Sequence, residues 1–264
     1  LIKFCSLVSG SSGNSVYLEY KNTRLLIDCG VSSKRICENL AAISTAPQDI
    51  SAILITHEHV DHVSGISVFS KKYNTPVYAT ESTWNEMTSK KPVLPALHNL
   101  LQAGNTFEIG DITVEAFSIP HDAADPVGYT FYIGNKKLSV ATDMGKIDAA
   151  IAEKLRGSYF VMLESNHDTQ MLLNGPYPYH LKKRVAGEKG HLSNDQAAKL
   201  AAALARTGTS RILLGHLSAT NNSPSLALQT TVQYLKEQSC EVGKDIQIDV
   251  AGRYCRSSIY NIIV

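Results

Sequence analysis

The run Ser51-Ala52-Ile53-Leu54-Ile55-Thr56, followed by His57-Glu58-His59-Val60-Asp61-His62, decides the reading of this chain. The first segment is apolar enough for a buried strand. Where it runs out, four metal-binding side chains (His57, His59, Asp61 and His62) fall within six residues. Clustered imidazoles give a strand nothing to pack, whereas a divalent ion takes nitrogen and oxygen ligands together. His57 and His59 are two apart, so in extended backbone they point the same way and can share one ion. Asp61 and His62 come at the following turn, offset toward a second ion.

Three further strand-like runs end in residues of the same type. Ser118-Ile119-Pro120 leads to His121, Val140-Ala141-Thr142 to Asp143, and Leu213-Leu214-Gly215 to His216. Counted against two ions, His57, His59 and His121 serve one. Asp61, His62 and His216 serve the other, with Asp143 as an anionic bridge. Positions stay open for water, as a catalytic site requires. Paired ions of this kind clamp attacking and leaving oxygens and acidify bound water.

The elements around these ends alternate. Strands are expected at 2–7, 15–20, 24–28, 51–55, 76–79, 112–119, 127–133, 137–141, 159–163, 211–214 and 246–250. Helices are expected at 33–42, 64–73, 146–155, 194–206 and 225–237, with a tight turn at Gly134-Asn135. Two mixed sheets packed face to face, with helices outside, would bury both apolar faces.

The pattern His57-x-His59-x-Asp61-His62, with His121, Asp143 and His216 in order, resembles the metallo-β-lactamase superfamily across essentially the whole chain. The resemblance implies an α/β fold, the four-layer αββα sandwich, as one hydrolase domain over residues 1–264. It also implies a dinuclear metal site, supported by Asp28 at an early strand end.

Glu164 ends a buried run, and His191 precedes Ser193-Asn194 at the start of an alanine-rich helix. A histidine there, oriented by a carboxylate, suits a proton donor to a leaving oxygen. The pair is similar to one in tRNase Z-type phosphodiesterases, which favours phosphodiester cleavage over ester, thioester or lactam cleavage. The Gly/Ser turn Val8-Ser9-Gly10-Ser11-Ser12-Gly13-Asn14-Ser15, taken with Gly190-His191-Leu192-Ser193-Asn194, resembles the WalJ/YycJ/VicX family. That resemblance implies a 5′-to-3′ DNA exonuclease that works with Mn²⁺ or Zn²⁺, Fe being a third option, through a hydroxide held between two ions. Asp61, His191 and Glu164 are then the catalytic candidates. Ser11, Ser12, Asn14, Lys183, Arg184, Ser193 and Asn194 are candidates for substrate contact. Tyr177 and Tyr179, just before the basic run Lys182-Lys183-Arg184, offer rings on which bases could stack. No clamp domain fits between Asp143 and His216. The substrate is therefore held by the core's own surface with a protein partner, or it is small.

Bulk properties bound these readings. The chain has 264 residues, 44% of them hydrophobic, and a net charge of +1. A nucleic-acid binder is usually more basic, so binding would use a local patch. The five cysteines lack paired spacing, which fits a reducing cytoplasm. There is no membrane-length apolar run, and Leu1-Ile2-Lys3-Phe4 carries no export signal. Nucleic acid, DNA before RNA, is the expected partner. Competing readings are a phosphodiesterase for cyclic or nucleotide substrates, a thioesterase or lactonase, and a regulatory protein without catalysis.

Overall fold

The computed structural model describes residues 1–264. The chain forms two mixed sheets of seven strands each and divides into two compact units. One unit holds Leu1–Ser118, Ala123–Asn135 and Gly252–Val264; the other holds Ile119–Asp122 and Lys136–Ala251.

The first unit opens with an antiparallel meander of β1 (Ile2–Val8), β2 (Ser15–Tyr20) and β3 (Thr23–Ile27). Next come α1 (Ser33–Ala41), β4 (Ala52–Leu54), α2 (Val60–Val63), α3 (Ile66–Tyr73), β5 (Val77–Thr80), α4 (Glu81–Thr88) and β6 (His98–Leu101). Strands β3 to β6 pair in parallel. Every residue of β4 is buried, as expected of a parallel strand covered on both faces. Leu26, Ile53, Phe69 and Trp84 belong to the core that α1, α3 and α4 close. β7 (Thr106–Ile109), β8 (Ile112–Ser118) and β9 (Val127–Ile133) form a second antiparallel meander.

The second unit is built on a parallel quartet. β10 (Lys136–Ala141), α5 (Ala149–Leu155), β11 (Phe160–Glu164), α6 (Thr169–Asn174) and α7 (Tyr179–Ala186) lead to α8 (Asn194–Ala205). β12 (Arg211–Gly215), α9 (Pro224–Glu237) and β13 (Gln247–Val250) complete it. β11 sits between β10 and β12, with Glu164 in register with Gly215. Back in the first unit, β14 (Tyr260–Ile262) pairs with β1.

The expected elements are all present, most with small shifts at their ends. The helix expected from Lys146 starts at Ala149 because Asp148 caps it, its carboxylate accepting the Ile151 N–H at 2.9 Å. Six elements lay outside the sequence expectation: α4, β6, β7, α6, α7 and β14. The turn expected after the His57–His59 segment is the short helix α2, which carries Asp61 and His62.

Candidate metal centre

In the first unit, Asp28 follows β3 in the left-handed region at φ +63°, a conformation a non-glycine residue holds only when its surroundings fix it. Three hydrogen bonds do so. The Thr56 N–H donates to Oδ1 at 2.9 Å, the Thr56 hydroxyl donates to Oδ2 at 2.9 Å, and His62 Nδ1 lies 2.7 Å from Oδ2. Burial pushes the Asp28 carboxyl up, against the pull of His62 and Thr56.

Proton accounting then sets the imidazoles. A carboxylate only accepts, so His62 carries its proton on Nδ1 and presents the Nε2 lone pair. The Thr56 hydroxyl spends its one proton on Asp28, so its oxygen accepts from His57 Nδ1 at 3.0 Å. His57 therefore also presents Nε2. The rings crowd together, with centroids 4.6 Å apart for His57–His59 and 4.1 Å for His57–His62. His59 caps α2 without a side-chain bond to the helix, and Asp61 Oδ2 lies 3.6 Å from His62 Nε2.

Backbone bonds lace this cluster to its neighbours. Asn14 N–H donates to Asp61 O at 2.8 Å, Gly30 N–H to Asn14 O at 2.8 Å, and Cys29 N–H to His62 O at 2.8 Å. Gly30 is obligatory at this crossing: a Cβ there would lie 1.7 Å from Asp61 O. Asn14 is buried, and its side chain is committed to Gly10, to Asp61 and to His62 Nε2 at 3.1 Å. An amide donor on that nitrogen marks the lone pair a cation would take. Asn14 is thus a brace of the cluster. Ser11 and Ser12 stand exposed on the turn closed by Gly13 N–H to Gly10 O.

In the second unit one carboxylate organises the group. Glu164, fully buried at the end of β11, accepts four hydrogen bonds. Oε1 takes His191 Nδ1–H and His216 Nδ1–H, both at 2.8 Å, and Oε2 takes the N–H groups of Met144 at 2.8 Å and Leu192 at 3.1 Å. Burial alone would raise the Glu164 carboxyl, but His191 and His216 outweigh it and hold the group well below the usual carboxylate range. Burial likewise works against a charged His191, yet Glu164 and Asp143 raise its pKa. His216 thus presents its Nε2 lone pair, whereas the raised pKa of His191 favours a second proton on its Nε2. His121 presents Nε2 as His216 does, because its Nδ1–H donates to Gly190 O at 3.1 Å. Asp143 and His216 both adopt left-handed backbone, at φ +60° and +55°. Asp143 Oδ1 lies 3.8 Å from His121 Nε2 and 3.4 Å from His216 Nδ1.

Imidazoles whose distal nitrogens are fixed by carboxylates and carbonyls, with carboxylate oxygens alongside, form the donor set of a divalent metal site. The first unit supplies His57, His59, Asp61 and His62, and in the second Asp143, Glu164, His191 and His216 bring ligand atoms within 4.8 Å of one another, a grouping that fits a divalent ion.

From sequence, Glu164 pairs with His191 alone. Its bond to His216 follows from the register of β11 and β12, which sets Glu164 beside Gly215 and thus next to His216. Two other residues expected at the substrate also carry structural bonds. Asn194 is buried, its amide tied to Ser165 and Asn222. Ser193 closes the capping box of α8 with Gln196. Arg184 is exposed on α7 and pairs with Asp122, a residue without an assigned role from sequence; Asp122 Oδ1 is 3.4 Å from His121 Nε2. Lys183 stays exposed. His167 is buried, and burial depresses its pKa to about 4, so it is neutral.

Residues 23–217 match the family model described as the beta-lactamase superfamily domain. The chain is 39% identical over 249 residues to the exodeoxyribonuclease WalJ of Streptococcus pneumoniae, covering 93% of each chain. It is 38% identical over 248 residues to the exodeoxyribonuclease YycJ of Bacillus anthracis, covering 94% of each. The structure is similar to the metallo-β-lactamase fold protein YhfI of Bacillus subtilis, with a TM-score of 0.74 at 13% identity over 98% of this chain and 100% of that one. The fold is therefore the αββα sandwich expected from the ligand motif. The chain belongs to the metallo-β-lactamase superfamily and, within it, to the family that includes the exodeoxyribonucleases WalJ and YycJ.

Proposed function

We propose that this protein is a metal-dependent phosphodiester hydrolase, specifically an exonuclease that degrades DNA from the 5′ end. The observation that carries the reading is Glu164 holding both His216 and His191. One imidazole belongs to the ligand set, and the other is left over from it as an oriented proton donor. Kinship with two exodeoxyribonucleases over nearly the full chain supports DNA as substrate.

In this account His57, His59 and His121 hold one ion, and Asp61, His62 and His216 the other, with Asp143 shared. Mn²⁺ or Zn²⁺, when bound, would acidify water and stabilise charge on the phosphate oxygens. The chain's own groups do the rest. Asp61 orients the attacking water. His191 protonates the departing oxygen from Nε2 while Glu164 keeps the Nδ1 proton in place. Ser11 and Ser12, exposed on their turn, meet the terminal phosphate. Five free cysteines suit work in a reducing cytoplasm.

The test is purified protein with Mn²⁺ or Zn²⁺ on 5′-labelled single- and double-stranded DNA and RNA. Release of labelled mononucleotides from DNA before any internal product is expected. Cleavage of bis-p-nitrophenyl phosphate with DNA left intact would move the substrate to a small phosphodiester.

A further inference from the structure

The loop Gly252-Arg253-Tyr254-Cys255-Arg256-Ser257 joins β13 to β14 and belongs to the first unit. From Gly252 to Val264 the chain carries arginine at positions 253 and 256 and no Asp or Glu. Both ends of the loop are pinned to the end of β1 and the turn after it. Ser9 N–H donates to Gly252 O at 3.1 Å, Ser257 N–H to Ser6 O at 2.8 Å, and Ser6 N–H to Ser257 Oγ at 3.0 Å. Between these pins the chain folds back tightly: a Cβ on Gly252 would lie 2.6 Å from Cys255 Sγ and 2.7 Å from Cys255 O. Tyr254, Cys255 and Arg256 stand exposed on the loop.

Arg35, in the first turn of α1, reaches this loop and donates from Nη2 to Tyr254 O. Arg256 donates from Nη1 to Ser257 O at 3.1 Å. A guanidinium carries several N–H donors in a rigid fork, so one bond to a carbonyl fixes each head and leaves the other donors to offer. Neither head pairs with a carboxylate. Lys34, beside Arg35, lies 3.9 Å from Glu38. The first turn of α1 contains no acidic residue. Cations there oppose the helix dipole, whose positive end favours an anion, so an anion over this turn would relieve the conflict.

This basic patch is fastened to the ligand residues of its own unit through the Ser9–Asn14 turn. The turn meets the loop at Gly252 and meets the approach to α1 at Val31, where a Cβ on Gly13 would lie 2.3 Å from Val31 Cγ1. Its Asn14 N–H bonds Asp61 O at 2.8 Å. An anion on Arg35 and Arg256 would therefore sit at a fixed place relative to Asp61 and His62. By contrast, the main cleft of the first unit is lined by Glu81, Glu108 and Asp125 and by no Lys or Arg, an environment that repels phosphate.

We infer that Arg35 and Arg256 form a binding site for the DNA backbone, holding phosphates beyond the terminal one at Ser11 and Ser12. The inference rests on the reading of the protein as a DNA exonuclease and adds to it the surface that holds the substrate. Contacts of this kind read charge and position, not base identity, as an enzyme advancing along any sequence requires.

The test uses the metal-loaded protein and a fluorescein-labelled DNA duplex with phosphorothioate linkages that resist cleavage. Fluorescence anisotropy across a salt series reads affinity. Arg35→Gln and Arg256→Gln should each reduce the steepness of log affinity against log salt by about 0.9, and the double variant by about twice that. Arg35→Lys keeps the charge and should keep the wild-type steepness. Lys244→Gln removes one charge from the segment before β13, where Lys244 faces Glu241, and should change nothing. The inference is overturned if the double variant keeps the wild-type steepness, if Lys244→Gln lowers it equally, or if wild type does not bind. It is also overturned if Arg35→Lys behaves as Arg35→Gln, which would make Arg35 only a pin for the loop. The nuclease reading fails separately, if wild-type protein with metal leaves unmodified DNA uncut.

Discussion

Asp28 and Glu164 perform the same service in the two ligand groups and differ in what else depends on them. Each is a buried carboxylate at or just past a strand end that fixes the Nδ1 proton of a candidate ligand, His62 in one case and His216 in the other. Asp28 stops there, bound otherwise by Thr56. Glu164 also holds His191, a ring outside the proposed ligand set, and takes the N–H groups of Met144 and Leu192. In the proposed assignment the first carboxylate serves a ligand alone, and the second serves a ligand and a proton donor together.

That contrast can be broken by substitution. The largest effect is expected at the shared ligand: Asp143→Ala should lose bound metal, read by elemental analysis, and show no measurable hydrolysis of DNA. Glu164→Gln comes next. All four of its bonds are accepted, so an amide turned either way sets its NH₂ against two donors. It should lose about 10–100-fold in metal affinity and should also turn over slowly at saturating metal. Asp28→Asn should lose a similar factor in metal affinity but recover wild-type turnover once metal saturates. If the two variants behaved alike at saturation, the division of labour would be wrong. The smallest effect is at the α8 cap, where Ser193→Ala should cost about 1 kcal/mol in denaturant unfolding and leave kcat unchanged, since its hydroxyl is spent on Gln196.

The first ligand group was the more legible of the two from sequence. His57 to His62 is contiguous and follows an apolar run, so spacing alone pointed to metal. The second group was assembled from separate strand ends, and its organising contact, Glu164 to His216, depends on strand register that no local pattern encodes. The missed helices have a physical explanation as well. α6 is six residues long with Met171 and Leu173 exposed, and α7 buries only Val185, so neither shows an apolar stripe. β6 and β7 are four residues each at the ends of their sheets, with too little burial to impose alternation. At Asn14, Ser193 and Asn194 a polar side chain that satisfies internal partners reads, in sequence, like one awaiting a ligand. Asn194 closes a network with Ser165 and Asn222 that is visible only once distant segments meet.

The proposed role of Glu164 is to present His191 as an oriented proton donor outside the ligand set. Its most direct test is the metal content and single-turnover DNA cleavage of His191→Ala beside wild type. Equal metal per chain and a rate lowered about 10²–10⁴-fold are expected. Cleavage at the wild-type rate, or loss of metal along with activity, would contradict that role.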